Sequence, residues 1–175
     1  MEILAAEVAR NLGIPDRSMR RAIDTGMIRG RRASERKFLV PVGEEVYLRE
    51  HWKTLSRIRQ VLRTEPNVRL AVLYGSVARG TEGPASDIDL MVTTAESSPE
   101  TLGALTSRLG HKLNSEVQVV FHEDVAKSPA FLDSVLSEGR VIVDRDQEWR
   151  SIWKQGAKFD GSELGESMER FLNDS

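Results

Sequence analysis

Two aspartates, Asp87 and Asp89, stand two positions apart in the stretch LYGSVARGTEGPASDIDLMV at 73–92, alternating with Ile88 and Leu90. If this is a strand, alternation projects both carboxylates to one side and turns Ile88 and Leu90 into a core. Like charges so placed repel and raise each other's pKa, a cost that a divalent cation bound by oxygen ligands removes. Upstream, Gly75 allows close approach of the backbone to a ligand, Ser76 offers a hydroxyl, and the N–H groups of the following turn form an anion-binding nest. An anion cradle beside metal-binding carboxylates suits a nucleoside triphosphate with Mg²⁺ or Mn²⁺. The plainer alternative is a glycine-rich turn before a strand with a solvated acidic face.

The order G-S-x-A-R-G followed by S-D-I-D-L resembles the signature of the polymerase-beta-like nucleotidyltransferases, especially their minimal members. Gly75, Ser76, Arg79, Gly80, Ser86, Asp87 and Asp89 all match. The resemblance implies an α/β (α+β) fold, a mixed sheet flanked by helices. It also implies catalytic and metal-binding roles for Asp87 and Asp89, and nucleotide contacts from Gly75, Ser76, Arg79, Gly80 and Ser86.

That family usually takes a third carboxylate from a later strand, here EVQVVFH at 116–122. With Val117, Val119 and Phe121 inward, the other face carries Glu116, Gln118, Val120 and His122. The family register puts Gln118 where the third aspartate would stand, as a neighbour of the nucleotide. Glu116 lies one pleat away, about 7 Å along the strand. A missing general base and second metal ligand predict nucleotide and metal binding with weak or absent transfer. The amide is similar to that in a subset of the family joined to helix-turn-helix domains. His122 is either a substrate contact or an ordinary polar residue at a strand end, and His111 has no ligand partner at metal spacing.

The elements around these residues follow from periodicity. Val68 to Tyr74 reads as the strand before the glycine turn. Pro99 to Leu113 reads as an amphipathic helix with Leu102, Leu105 and Leu109 inward. One or two helices around Pro129 carry Phe131, Leu132, Val135 and Leu136, before a short strand at Arg140 to Asp144. FLDSVLSEGRVIVD resembles the closing segment of the same family, so the resemblance covers 67–144. Beyond it, Trp149, Ile152 and Trp153 share one helical face, and Leu164, Met168, Phe171 and Leu172 another, with Asp160, Glu163, Glu166 and Glu169 outward. Such faces are core contacts or an interface.

The first third is locally basic, although the chain's net charge is −2. Glu2 to Leu12 has helical spacing through Leu4, Ala5, Val8 and Leu12. Gly13-Ile14-Pro15 breaks it, and Asp16 is placed to cap a second helix over 17–25, with Met19, Ala22 and Ile23 inward. Gly26 then ends that helix in a left-handed conformation. Two short strands, Met27 to Gly30 and Phe38 to Pro41, flank a loop. The order resembles the winged helix-turn-helix of excisionase-like and MerR-like proteins, which implies DNA contacts from Arg17, Arg20, Arg21, Arg31, Arg32, Arg36 and Lys37. The alternative is a small module whose arginines are solvated or meet an acidic protein.

A helix over 43–63 joins the halves, with Val46, Leu48, Leu55, Ile58 and Leu62 as its apolar stripe. It packs within the chain, since Arg59 interrupts any heptad; a homodimer seam is the alternative. The domains expected are 1–42, a connecting helix at 43–66, the nucleotidyltransferase at 67–145 and terminal helices at 146–175.

Composition narrows the classes. The 175 residues are 39% hydrophobic, enough for one solid core or two smaller ones. The absence of cysteine excludes disulfides, zinc-thiolate sites and thiol nucleophiles, and points to the cytoplasm. No apolar run approaches membrane-spanning length. Three functions follow: an enzyme moving a nucleotidyl group to a hydroxyl, a DNA-binding regulator that senses nucleotide, or a toxin-antitoxin component with a partner toxin or other protein acceptor.

Overall fold

A computed structural model describes the backbone of residues 1–160 and the side chains of 1–156. In chain order the elements are β1 (Glu2–Leu4), α1 (Ala5–Leu12), α2 (Asp16–Thr25), β2 (Arg31–Arg32), β3 (Phe38–Pro41), α3 (Val42–Arg63), β4 (Val68–Tyr74), α4 (Gly75–Arg79), β5 (Ile88–Thr94), α5 (Pro99–Leu113), β6 (Val117–Phe121), α6 (His122–Val125), α7 (Pro129–Glu138), β7 (Arg140–Asp144) and α8 (Trp149–Asp160). The tail expected to carry Leu164, Met168, Phe171 and Leu172 lies outside the described residues.

The larger sheet has the order β6-β5-β4-β7. β4 pairs antiparallel with both β5 and β7, whereas β5 and β6 run parallel. A parallel pair needs a crossover, and α5 provides it over one face. That face buries Leu73, Leu90, Val92, Val117, Val119 and Phe121 with Leu55, Ile58 and Leu62 of α3 and Leu105 and Leu109 of α5. The opposite face buries Leu70, Val72, Met91 and Val141 beneath Leu132, Val135, Leu136 and Ile152 of α7 and α8. Covered on both sides, β4 has four consecutive buried residues, Leu70 to Leu73, rather than an alternating pattern.

The first 41 residues form two helices against a small antiparallel sheet of order β1-β3-β2. α1 and α2 are joined at Gly13, whose φ of 68° closes the first helix, and Gly26 closes the second at φ 97°. Met19, Ala22 and Ile23 are buried as expected. Four expectations need correction. Glu2 to Leu4 is a strand, not the first turn of α1, because its backbone pairs with Leu39 to Pro41. The strand expected at Met27 to Gly30 lies instead at Arg31–Arg32, since Met27 and Ile28 turn back to the Ala22 carbonyl. Asp16 sits inside α2, where it pairs with Arg20 at 3.0 Å and makes no cap. Val46 is 58% exposed, off the α3 stripe that Leu48, Leu55, Ile58 and Leu62 make.

One buried ion pair ties the parts together. Arg140 and Glu44 each leave only 3% of their side chains exposed and meet through two hydrogen bonds of 2.8 Å. Arg140 also donates to the Ala78 carbonyl at 2.9 Å and the Met27 carbonyl at 3.1 Å, and its guanidinium lies 3.7 Å over the Tyr47 ring. Glu44 accepts the Arg29 N–H as well. A charge removed from water persists only with such saturation of its donors.

Candidate active site

β5 delivers the two aspartates as the alternation requires: Ile88 and Leu90 are buried, while Asp87, just before the strand, and Asp89, within it, are half-buried. Asp89 lies opposite Tyr74 of β4 on one side and opposite Gln118 of β6 on the other. Burial raises the Asp89 carboxyl pKa and the Asp87 charge adds to the shift, with Glu138 contributing and Arg79 opposing. Tyr74 is pushed up to about 12 by burial, then by Asp89 and Glu138.

Gly75 follows Tyr74 with φ 77°, and a Cβ there would run into the Asp89 carboxylate. Glycine is therefore required twice, by the backbone and by the neighbour. The short α4 continues through Ser76 to Arg79 and stops at Gly80, φ 79°. α3 holds this step in place. The Tyr47 hydroxyl donates to the Val77 carbonyl at 2.8 Å, and a Cβ on Gly80 would press on the Tyr47 ring at 3.0 Å. His51 stacks on Tyr47 at 4.1 Å and contacts Glu82 in the loop leading to the aspartates.

The remaining signature residues divide. Ser86 accepts the Gly83 N–H at 2.9 Å, so its hydroxyl shapes the loop before Asp87. Arg79 is paired with Glu138 of α7 at 2.6 Å. Gln118, exposed on the face of β6 that the alternation predicts, donates from Nε2 to Asp87 Oδ2 at 3.0 Å. His122 opens α6, and burial lowers its pKa against the opposing charges of Glu148 and Glu123.

Nothing in the amino-acid pattern singles out Tyr47, His51, Glu138 or the Glu44–Arg140 pair. A turn-and-strand signature spans twenty residues, but their partners stand 30 to 96 positions away. The only advance signal is that Tyr47 and His51 share a helix face at i, i+4.

Asp87 and Asp89 fit a hard divalent cation, since two anionic oxygens on one face repel until a positive charge joins them. No group of three or more His, Cys, Asp or Glu among the described residues joins in a metal-binding cluster.

The basic residues expected to contact DNA are on α2 and the β2–β3 hairpin. Arg17, Arg21, Arg36 and Lys37 are exposed. Arg20 pairs with Asp16, Arg31 with Glu2 at 3.0 Å and Arg32 with Asp24 at 3.6 Å. Arg20 and Arg32 also lie over the Phe38 ring, at 5.6 and 4.9 Å.

No helix among the described residues is long and apolar enough to cross a membrane. Comparison with curated proteins finds no match. Among solved structures, the fold is similar to a toxin-antitoxin crystal structure with AMP-PNP, at TM-score 0.52 and 23% identity, covering 69% of this chain and 96% of the other. A mutant of the toxin-antitoxin MntA-HpeT matches at TM-score 0.52 and 21% identity, with the same coverage. These likenesses establish a shared mixed α/β nucleotidyltransferase fold. The family model described as polymerase beta, nucleotidyltransferase matches residues 56–148, more than half of the sequence, including Tyr74 to Asp89, Gln118 and Glu138 but not Tyr47 and His51. By that match, this chain belongs to the polymerase beta nucleotidyltransferase family.

Proposed function

We propose that this protein moves a nucleotidyl group from a nucleoside triphosphate to a hydroxyl on a protein partner, the partner being the toxin of a toxin-antitoxin pair. The observation that carries the chemistry is the shared face of Asp87 and Asp89, with the Gly75–Arg79 step directly behind Asp89. Family membership supports the reaction class, and the likeness to toxin-antitoxin structures supports the setting.

Asp87 and Asp89 would hold Mg²⁺ or Mn²⁺, which neutralises phosphate charge when bound. Gly75, Ser76, Gly80 and Arg79 line the side where the triphosphate would lie, and Ser86 sets the loop that presents Asp87. The acceptor oxygen bonds to the α-phosphorus, the α–β phosphoanhydride bond breaks, and pyrophosphate leaves. Gln118 cannot accept the acceptor's proton, so that proton passes to solvent or to the leaving pyrophosphate. Positioning and charge neutralisation carry the catalysis, and turnover is slow. Incubation with each α-labelled nucleoside triphosphate, Mn²⁺ or Mg²⁺ and the partner should label the partner, and Asp87→Ala/Asp89→Ala should abolish the label. Nucleotide binding without label would displace this reading.

The Gln118–Asp87 hydrogen bond favours a second reading, in which the domain senses nucleotide and the first 41 residues bind DNA. The helix–turn–helix at Gly13 and the hairpin carrying Arg31, Arg32, Arg36 and Lys37 support it. A gel shift on DNA upstream of the gene, lost in Arg17→Ala/Arg21→Ala and falling steeply with salt, tests it.

A further inference from the structure

The carboxylate of Glu138, at the end of α7, lies beside the Gly75–Arg79 step. Arg79 Nη1 donates to Oε2 at 2.6 Å and Ser134 Oγ donates to Oε1 at 3.0 Å. Only 14% of the Glu138 side chain is exposed, whereas Arg79 remains 48% exposed.

Packing alone does not account for an acid here. The charge lies close enough to raise the pKa of both Asp89 and Tyr74, so it opposes the carboxylates that a cation would join. Burial would neutralise Glu138 itself, yet the hydrogen bonds from Arg79 and Ser134 outweigh it and hold its pKa below the ordinary value. A guanidinium recognises carboxylate and phosphate oxygens through the same charge-assisted hydrogen bonds. Both anions cannot be held by Arg79 at full strength beside Asp87 and Asp89, because their charges add.

We propose that Glu138 is an internal competitor of the triphosphate, and that nucleotide binding exchanges its carboxylate for phosphate on Arg79. The proposal rests on the nucleotide-binding reading of that same site. The Glu138 carbonyl accepts from Arg29 Nη2 at 2.6 Å, so the exchange takes place where α7 touches the first 41 residues.

The test is calorimetric titration of the full chain with each nucleoside triphosphate and Mg²⁺. Glu138→Gln keeps the shape and the Ser134 contact but removes the competing charge, and should bind about tenfold more tightly than the wild type, as expected when the competent fraction rises. Ser134→Ala, which frees one carboxylate oxygen, should shift affinity the same way by a smaller factor and serves if Glu138→Gln does not fold. In an Arg79→Ala background the gain from Glu138→Gln should shrink. Unchanged or weaker binding by Glu138→Gln and Ser134→Ala, with a wild type that binds, overturns the competitor alone. No binding by wild type and variants overturns the nucleotide reading together with it.

Discussion

The side-chain amide of Gln118 reaches from β6 to donate to Oδ2 of Asp87, while its own backbone lies opposite Asp89 in the parallel β5–β6 register. One neutral residue thus touches one aspartate and borders the other. It supplies a hydrogen bond where the family pattern has a third negative charge, which lowers the repulsion within the pair.

Gln118→Asp should therefore act in opposite directions with and without a cation. In chelator it should destabilise the fold by about 1 kcal/mol, or roughly 2–4 °C in Tm for a chain of this size. With saturating Mn²⁺ the loss should reverse and nucleotidyl transfer should rise at least about tenfold. Paired thermal melts and label incorporation check both arms.

The raised pKa of Asp89 sets a pH dependence. Its folded value lies above the unfolded one, so ionising it disfavours the fold. The penalty grows as pH climbs from the unfolded value, about 4, through the raised folded value, and is complete above it. Asp89→Asn should accordingly raise Tm at pH 7.5 in chelator and leave it nearly unchanged at pH 3. Mg²⁺ should stabilise the wild type at pH 7.5 and not Asp87→Asn/Asp89→Asn.

Gly75→Ala combines a left-handed backbone with a side chain directed at the Asp89 carboxylate. It should cost about 1–3 kcal/mol and abolish nucleotide binding, since either Asp89 or the turn must move. Denaturant unfolding together with a nucleotide titration would settle this, and an alanine variant of native stability and affinity would contradict the geometry.

Glu44→Ala leaves the Arg140 guanidinium buried with its countercharge gone. Loss of one partner of such a pair costs about 3–5 kcal/mol, whereas Glu44→Met/Arg140→Met should cost less than the sum of the single changes. A double-mutant cycle by urea unfolding measures the coupling.

Much of the nucleotidyltransferase half is legible in the amino-acid pattern. Strand alternation puts Asp87 and Asp89 on one face, and the bounds of β4, α5 and β7 fall where the patterns end. Pro99 and Pro129 each open a helix capped by the preceding serine, a local signal. Long-range pairing is not legible. Glu2 to Leu4 has helical spacing yet is a strand because β3 offers it a backbone edge. Arg79 sits in the signature, but nothing local announces its ion pair with Glu138, 59 positions on. Ser86 matches the family while spending its hydroxyl on the loop. Spacing reports which side chains share a face; it is silent on which distant charge each will meet.

Arg140 draws its partners from Met27, Glu44 and Ala78, and two of these three lie upstream of residue 56, where the family match begins. A fragment trimmed to the matched stretch would keep the guanidinium but lose its countercharge and the Tyr47 ring above it. The border that similarity draws on this polypeptide therefore runs through a buried ion pair, between an arginine it includes and a glutamate it leaves out.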